Sequence, residues 1–234
     1  MKKIFICSVL ALTLILPVSA QINPLEQVSQ DIKQNVREET KNRREEVKSS
    51  ISEMRENFRA NVQQKREELK NLIEEKRVAL KEQLRKVKDE RKKQVVERVD
   101  AGLDELNGRM LNHFSGVLDK LEDVLERITS RADKAEQRGL DVATVRTAIS
   151  EALRVIESSR TAIQEQTGKT YAITITSENN LRVDVGKARK ALHDDLVKVR
   201  ETVKAAHDAV RRVAVALAQI PKVDEVENLP STSD

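Results

Sequence analysis

Leu25, Val36, Val47, Phe58, Leu69 and Leu80 stand 11 positions apart, and a second ladder, Thr40, Ile51, Val62, Ile73, Leu84 and Val95, keeps the same period four residues further on. Eleven residues make three helical turns at about 3.67 residues per turn, close to the natural 3.6. The pattern therefore predicts one long, nearly straight helix with a continuous apolar stripe, an arm over roughly 25–100 that would extend ~120 Å if unbroken. About two apolar residues per three turns is a thin stripe, narrower than the face of a helix packed on a globular core. Such an arm buries little alone. The expectation is a seam covered by self-association or by a partner helix, with Val47, Ile51, Phe58, Val62, Leu69, Ile73, Leu80 and Leu84 as its interaction residues.

In five of the six 11-residue units from position 36 the ninth position is basic: Arg44, Arg55, Arg66, Arg77 and Lys88. Interleaved with glutamates, these residues read as a solvated helix face laced with i,i+4 pairs. Composition agrees with long helices: 35% of the chain is charged, 2% is aromatic and Trp is absent. A core without large rings is built from Val, Leu, Ile and Ala, which suits narrow helix–helix seams. The fold class expected is all-α.

Residues 1–20 read as a signal peptide. Lys2 and Lys3 precede an apolar run from Ile4 to Leu16, and Val18-Ser19-Ala20 is a small-residue site with cleavage expected after Ala20. That run is shorter than the ~20 residues needed to span a bilayer. The expected destination is export to the periplasm, cell surface or medium. Cys7, the single cysteine, lies inside the leader, so the mature chain carries no thiol chemistry.

Four segments follow from the pattern: the signal peptide, an arm over 21–101, a three-helix bundle over 102–220, and a disordered tail over 221–234. Gly102 and Gly108 sit where the apolar spacing changes from 11 to seven, and they predict a bend or hinge near 101–109, with an unbroken helix into the 130s as the alternative. Beyond it, Leu103, Met110, Val117 and Val124 with Phe114, Leu121 and Ile128 step by seven. Arg138-Gly139 predicts a helix stop and Asp141 the next start. Val142, Val145, Ile149, Ala152 and Ile156 mark one face of a helix ending at Gly168. The stretch 169–176 alternates in period two, yet no second strand is evident, so it reads as an extended connector packed on the bundle. Val185, Leu192, Val199, Ala206, Val213 and Ile220, with Leu196, Val203, Val210 and Leu217, form the strongest heptad, stopped by Pro221. Short links between these three helices imply an antiparallel bundle.

Catalytic signals are missing. His193 and His207 lie 14 residues apart, ~21 Å along a helix, too far to share a metal. No phosphate loop, zinc helix or nucleophile elbow occurs. The chain is read as a non-enzyme with no cofactor, no metal and no small-molecule substrate. The densest basic run, Arg85 to Lys93, could meet anionic lipid or an envelope polymer. Export and the scarcity of stacking aromatics count against nucleic acid. The function expected is a structural or protein-interaction role in the cell envelope, with a holdase-like or lipid-surface role for the amphipathic arm as the alternative.

The runs GLDVATVRTAISEALRVIESSRTAIQEQTGKTYAITIT and LRVDVGKARKALHDDLVKVRETVKAAHDAV, spanning about 139–220, resemble the C-terminal half of uncharacterised exported helical proteins from candidate-phyla bacteria. That resemblance implies an exported helical fold and no particular activity. The arm is similar in kind to the coiled-coil arms of periplasmic Skp-type holdase chaperones, without shared motif residues, so no functional position carries over.

Overall fold

The computed structural model describes residues 24–221, and they are all-α. Four α-helices occur among the described residues: α1 over Pro24–Leu84, α2 over Glu90–Glu136, α3 over Ala143–Thr167 and α4 over Leu181–Ala218, the last preceded by a 3-10 turn at Glu178–Asn180. The segment expected to be a signal peptide, residues 1–20, and residues 222–234 of the expected tail lie outside the described residues. None of the described helices is long and apolar enough to cross a membrane.

The reversal after the arm falls earlier than the sequence suggests. α1 stops at Leu84, giving a rod of ~90 Å rather than ~120 Å, and the chain turns over 85–89. Asp89 caps the new helix: its carboxylate accepts hydrogen bonds from the backbone N–H of Arg91 and Lys92. No bend occurs at 101–109. α2 runs unbroken through Gly102, Gly108 and Gly116, because Leu103, Asn107 and Leu111 between them are buried and fix the helix from outside. Glycine weakens a helix by about 1 kcal/mol, less than such burial contributes.

α1 then lies antiparallel along α2. Arg43 meets Glu136, Arg55 meets Glu122, Arg66 meets Asn112 and Arg77 meets Asp104, so the register is kept over most of α2. The first four turns of α1 project past the last of these bridges, with Val28 and Ile32 exposed. α3 packs against α1, α2 and α4, and α2 packs against α4. Ser159 donates to the backbone oxygen of Thr202, and Lys169 just past the end of α3 pairs with Asp195 earlier in α4, so the two helices run antiparallel. One end of the bundle thus gathers the 85–89 turn and the starts of α2 and α4. The other gathers the α2–α3 loop and the end of α4.

The main core joins Phe58 and Val62 of α1 to Leu111, Phe114, Leu118, Leu121, Leu125 and Ile128 of α2, Val145, Ile149, Ala152 and Ile156 of α3, and Val199, Val203, Val210, Val213 and Leu217 of α4. The deepest row of α2 is Leu111, Leu118, Leu125 and Ala132, while Met110, Val117 and Val124 pack at its margin. Gly139 closes α2 with a positive φ of 81°. The Leu140 N–H reaches the Ala135 oxygen and the Gly139 N–H reaches the Glu136 oxygen, the paired bonds of a glycine-terminated helix.

α3 is shorter than α4, and the 168–177 connector fills the space beyond its end. No strand is present among the described residues. Side chains take the place of a strand partner: Asp100 accepts from the Ile173 N–H, Gln83 from the Ile175 N–H and Asp184 from the Thr176 N–H. Tyr171 and Ile173 are buried in a second core with Leu80, Leu84, Val87, Val96, Leu103, Leu181 and Leu192. Alternation in this segment reflects a buried face without a sheet.

Candidate functional site

The eight stripe residues are turned into the molecule. Ile51, Phe58, Val62, Leu69, Leu80 and Leu84 are buried within the single chain, and Val47 and Ile73 are half-buried. Phe58 and Val62 join the main core and Leu80 and Leu84 the second. The six buried residues hold α1 against its own bundle, and Val47 and Ile73 keep part of their surface open.

The basic ninth column is not simply a solvated face. Arg55, Arg66 and Arg77, one per repeat, reach across to α2. Two of the bridges to α2 widen into knots shared with α3. Glu122, with no exposed surface, accepts Arg160 of α3 at 2.8 Å and Arg55 of α1 on its second oxygen. Asp119 takes the other branch of Arg160 at 2.6 Å, and the Arg160 guanidinium stacks 4.7 Å from the Phe58 ring centre. Glu136 likewise joins Arg43 of α1 to Arg146 of α3, which also holds Asp133. Burial works against the Arg160 charge, but hydrogen bonds to Glu122 and Asp119 outweigh it and raise its pKa. These knots set register, and each of their charged side chains already has an ion-pair partner within the fold.

A different place offers unengaged chemistry. A groove of about 750 Å³ opens between the first turns of α2 and α4. Val95, Val96 and Val99 line one side, and Leu181 and Val185 the other, with Gly186 at the gap. Val95 is 54% exposed, and a Cβ added at Gly186 would meet nothing within 4 Å. Arg91, Lys92, Arg182 and Arg189 stand around this floor. Lys92 is paired with Asp89 and Glu178, whereas Arg91, Arg182 and Arg189 make no ion pair among the described residues. Glu178, the one acid in the lining, is held below the usual carboxylate range first by the Lys88 N–H and then by Lys92. An apolar floor with free guanidinium groups at its edge suits an occupant that is both apolar and acidic.

Sequence reasoning found only pieces of this groove. Arg91 and Lys92 belong to the basic run and Val95 to the second ladder, but Arg182, Val185 and Arg189 lie some 90 residues away. No local spacing links the two halves. His113, His193 and His207 are exposed and apart, and no group of three or more metal-ligating side chains occurs among the described residues.

Comparison of the chain with protein-family models, with curated proteins and with solved structures gives no match.

Proposed function

We propose that this is an exported, non-enzymatic helical protein that serves the cell envelope by docking another polypeptide, and that the arginine-edged groove receives it. The observation that carries this reading is the pairing of a valine floor, with Val95 exposed and Val99 and Val185 half-buried, with Arg91, Arg182 and Arg189, none of which makes an ion pair among the described residues. Solvated guanidinium groups beside an apolar floor gain most from a partner that brings carboxylates and aliphatic side chains together. The 11-residue stripe supports the reading indirectly, because its apolar residues are occupied in holding α1.

A fluorescent peptide of alternating valine and glutamate is a direct probe. Binding should weaken with added salt and fall by roughly tenfold or more on Arg182→Glu with Arg189→Glu. Gly186→Leu should have the same effect, since it fills the gap without a clash. Binding untouched by all three changes would overturn the assignment.

The second reading is a holdase-like or lipid-surface role for α1. It draws support from Val28 and Ile32, which project on the exposed first turns. It requires α1 to lift from the bundle or to act through those turns alone. Circular dichroism and tyrosine fluorescence that stay constant on adding anionic vesicles or a reduced, unfolded client would remove it.

A further inference from the structure

The chain carries a segment with the chemistry that the groove lacks. Residues 222–234 read KVDEVENLPSTSD, with Val223, Val226 and Leu229 spaced by three and Asp224, Glu225 and Glu227 between them. One lysine stands against four carboxylates in this segment. The bundle end that holds the groove is the opposite in character: Arg91, Arg182 and Arg189 make no ion pair among the described residues, and Lys86 and Lys88 lie on the adjoining turn.

The tail does not reach its own groove. It leaves α4 at the far end of the bundle, after Ile220, whose side chain is buried with the α2–α3 loop end of the core. From Val185 to Ile220 the helix rises ~52 Å. The segment from 222 to 229, fully extended, covers at most ~28 Å. A second molecule lying antiparallel alongside brings its tail to the level of the groove, and the same contact then forms twice about a two-fold axis. Two reciprocal contacts close the assembly, whereas a single head-to-tail contact would propagate.

Resting on the docking reading above, we infer that the groove between α2 and α4 receives residues 223–229 of a second copy of this chain. In this assembly Val223, Val226 and Leu229 lie on Val95, Val99 and Val185, and Asp224, Glu225 and Glu227 face Arg91, Arg182 and Arg189. The two-fold pairing runs through the tail and groove and leaves the α1 stripe where it is, inside each molecule.

Sedimentation velocity on residues 21–234 over a concentration series tests this. A dimer is expected that loosens as salt is raised. The triple change Asp224→Asn, Glu225→Gln and Glu227→Gln should weaken it by roughly tenfold or more, as should Gly186→Leu. Reversing both sides, Arg182→Glu and Arg189→Glu together with Glu225→Arg and Glu227→Arg, should restore it. A free peptide of residues 222–234 should compete. A monomer at every concentration, or a dimer indifferent to the tail changes, would overturn the inference. If the valine–glutamate probe binds but the 222–234 peptide does not, docking stands and the tail as occupant falls. If neither binds, both fall. Retention on anionic vesicles that is lost in the groove variants would assign the groove to lipid and overturn the tail as well.

Discussion

α1 and α4 are both long helices with a single apolar stripe, yet they are held by different means. α4 repeats by seven and buries Val199, Val203, Val210, Val213 and Leu217 in the core it shares with α2 and α3, and Leu192 in the second core. Its ion pairs run mostly along its own surface, as in Lys190–Asp194 and Lys198–Asp195. α1 repeats by eleven and has fewer apolar residues per turn, so its attachment includes a row of arginines aimed at α2. A seven-residue repeat supplies enough apolar surface to fix a helix. The 11-residue repeat here supplies a narrower strip and adds charge at a constant offset, which specifies register. Arg55, Arg66 and Arg77 meet α2 near Glu122, Asn112 and Asp104, a spacing that a slip of one turn would break.

The largest effect should come from cutting the knot that joins these two modes. Glu122→Ala removes the shared acceptor of Arg55 and Arg160 and leaves a buried guanidinium short of its partner. A loss of ~3–5 kcal/mol in urea unfolding is expected, typical of breaking a buried pair from one side. Arg66→Ala, whose bridge to Asn112 is exposed, should cost under ~1 kcal/mol. Equal losses from the two changes would mean that the knot contributes no more than a surface contact. The contrast between α1 and α4 would then rest on apolar area alone.

The legibility of the fold follows the same division. The α4 heptad, the α3 face and the Gly139 stop are visible because each depends on local spacing and a residue with one conformational use. The reversal at 85–89 is hidden because Arg85-Lys86-Val87-Lys88 are ordinary helix residues and the apolar ladder continues through Val95. Its one local signal is Asp89 followed by Glu90, an N-cap inside what looks like unbroken helix. Gly102 and Gly108 mislead for the opposite reason: they are weak helix formers held straight by neighbours contributed from elsewhere. The groove is legible only in halves, since Val95 and Val185 become neighbours through the packing of α2 on α4.

A smaller effect of opposite sign sharpens the role of α2, the helix on which both α1 and α4 rest. Gly102 and Gly108 lie in continuous helix, and an added Cβ at either meets nothing within 4 Å. Gly102→Ala and Gly108→Ala should each stabilise the chain by ~0.5–1 kcal/mol, read as a higher urea midpoint at unchanged slope. A hinge at 101–109 would give the reverse, since alanine there would resist the bend.

The smallest expected effect concerns the segment between α3 and α4, where neither repeat operates. Tyr171 is the single tyrosine and Trp is absent, so absorbance of the phenolate reports on this connector alone. Burial pushes the Tyr171 hydroxyl up to about 12, while a donated hydrogen bond from Gln166 pulls it down and the Asp195 carboxylate, which accepts from it, pushes it up. A raised pKa in the folded state contributes stability that is complete below about 10 and is lost as pH rises from 10 to 12. Asp195 runs the other way. The Lys169 ammonium leads in lowering it to about 2, with Lys198 and Tyr171 adding to the effect. Its contribution is present above about 4 and is lost as pH falls toward 2. An alkaline titration should therefore place the Tyr171 midpoint well above 10. Asp195→Asn should bring it part of the way down, because burial, the larger cause, stays. A midpoint at 10 in the native chain would mean that the connector stands open to water. The side-chain acceptors Asp100, Gln83 and Asp184 would then not be holding it against the bundle.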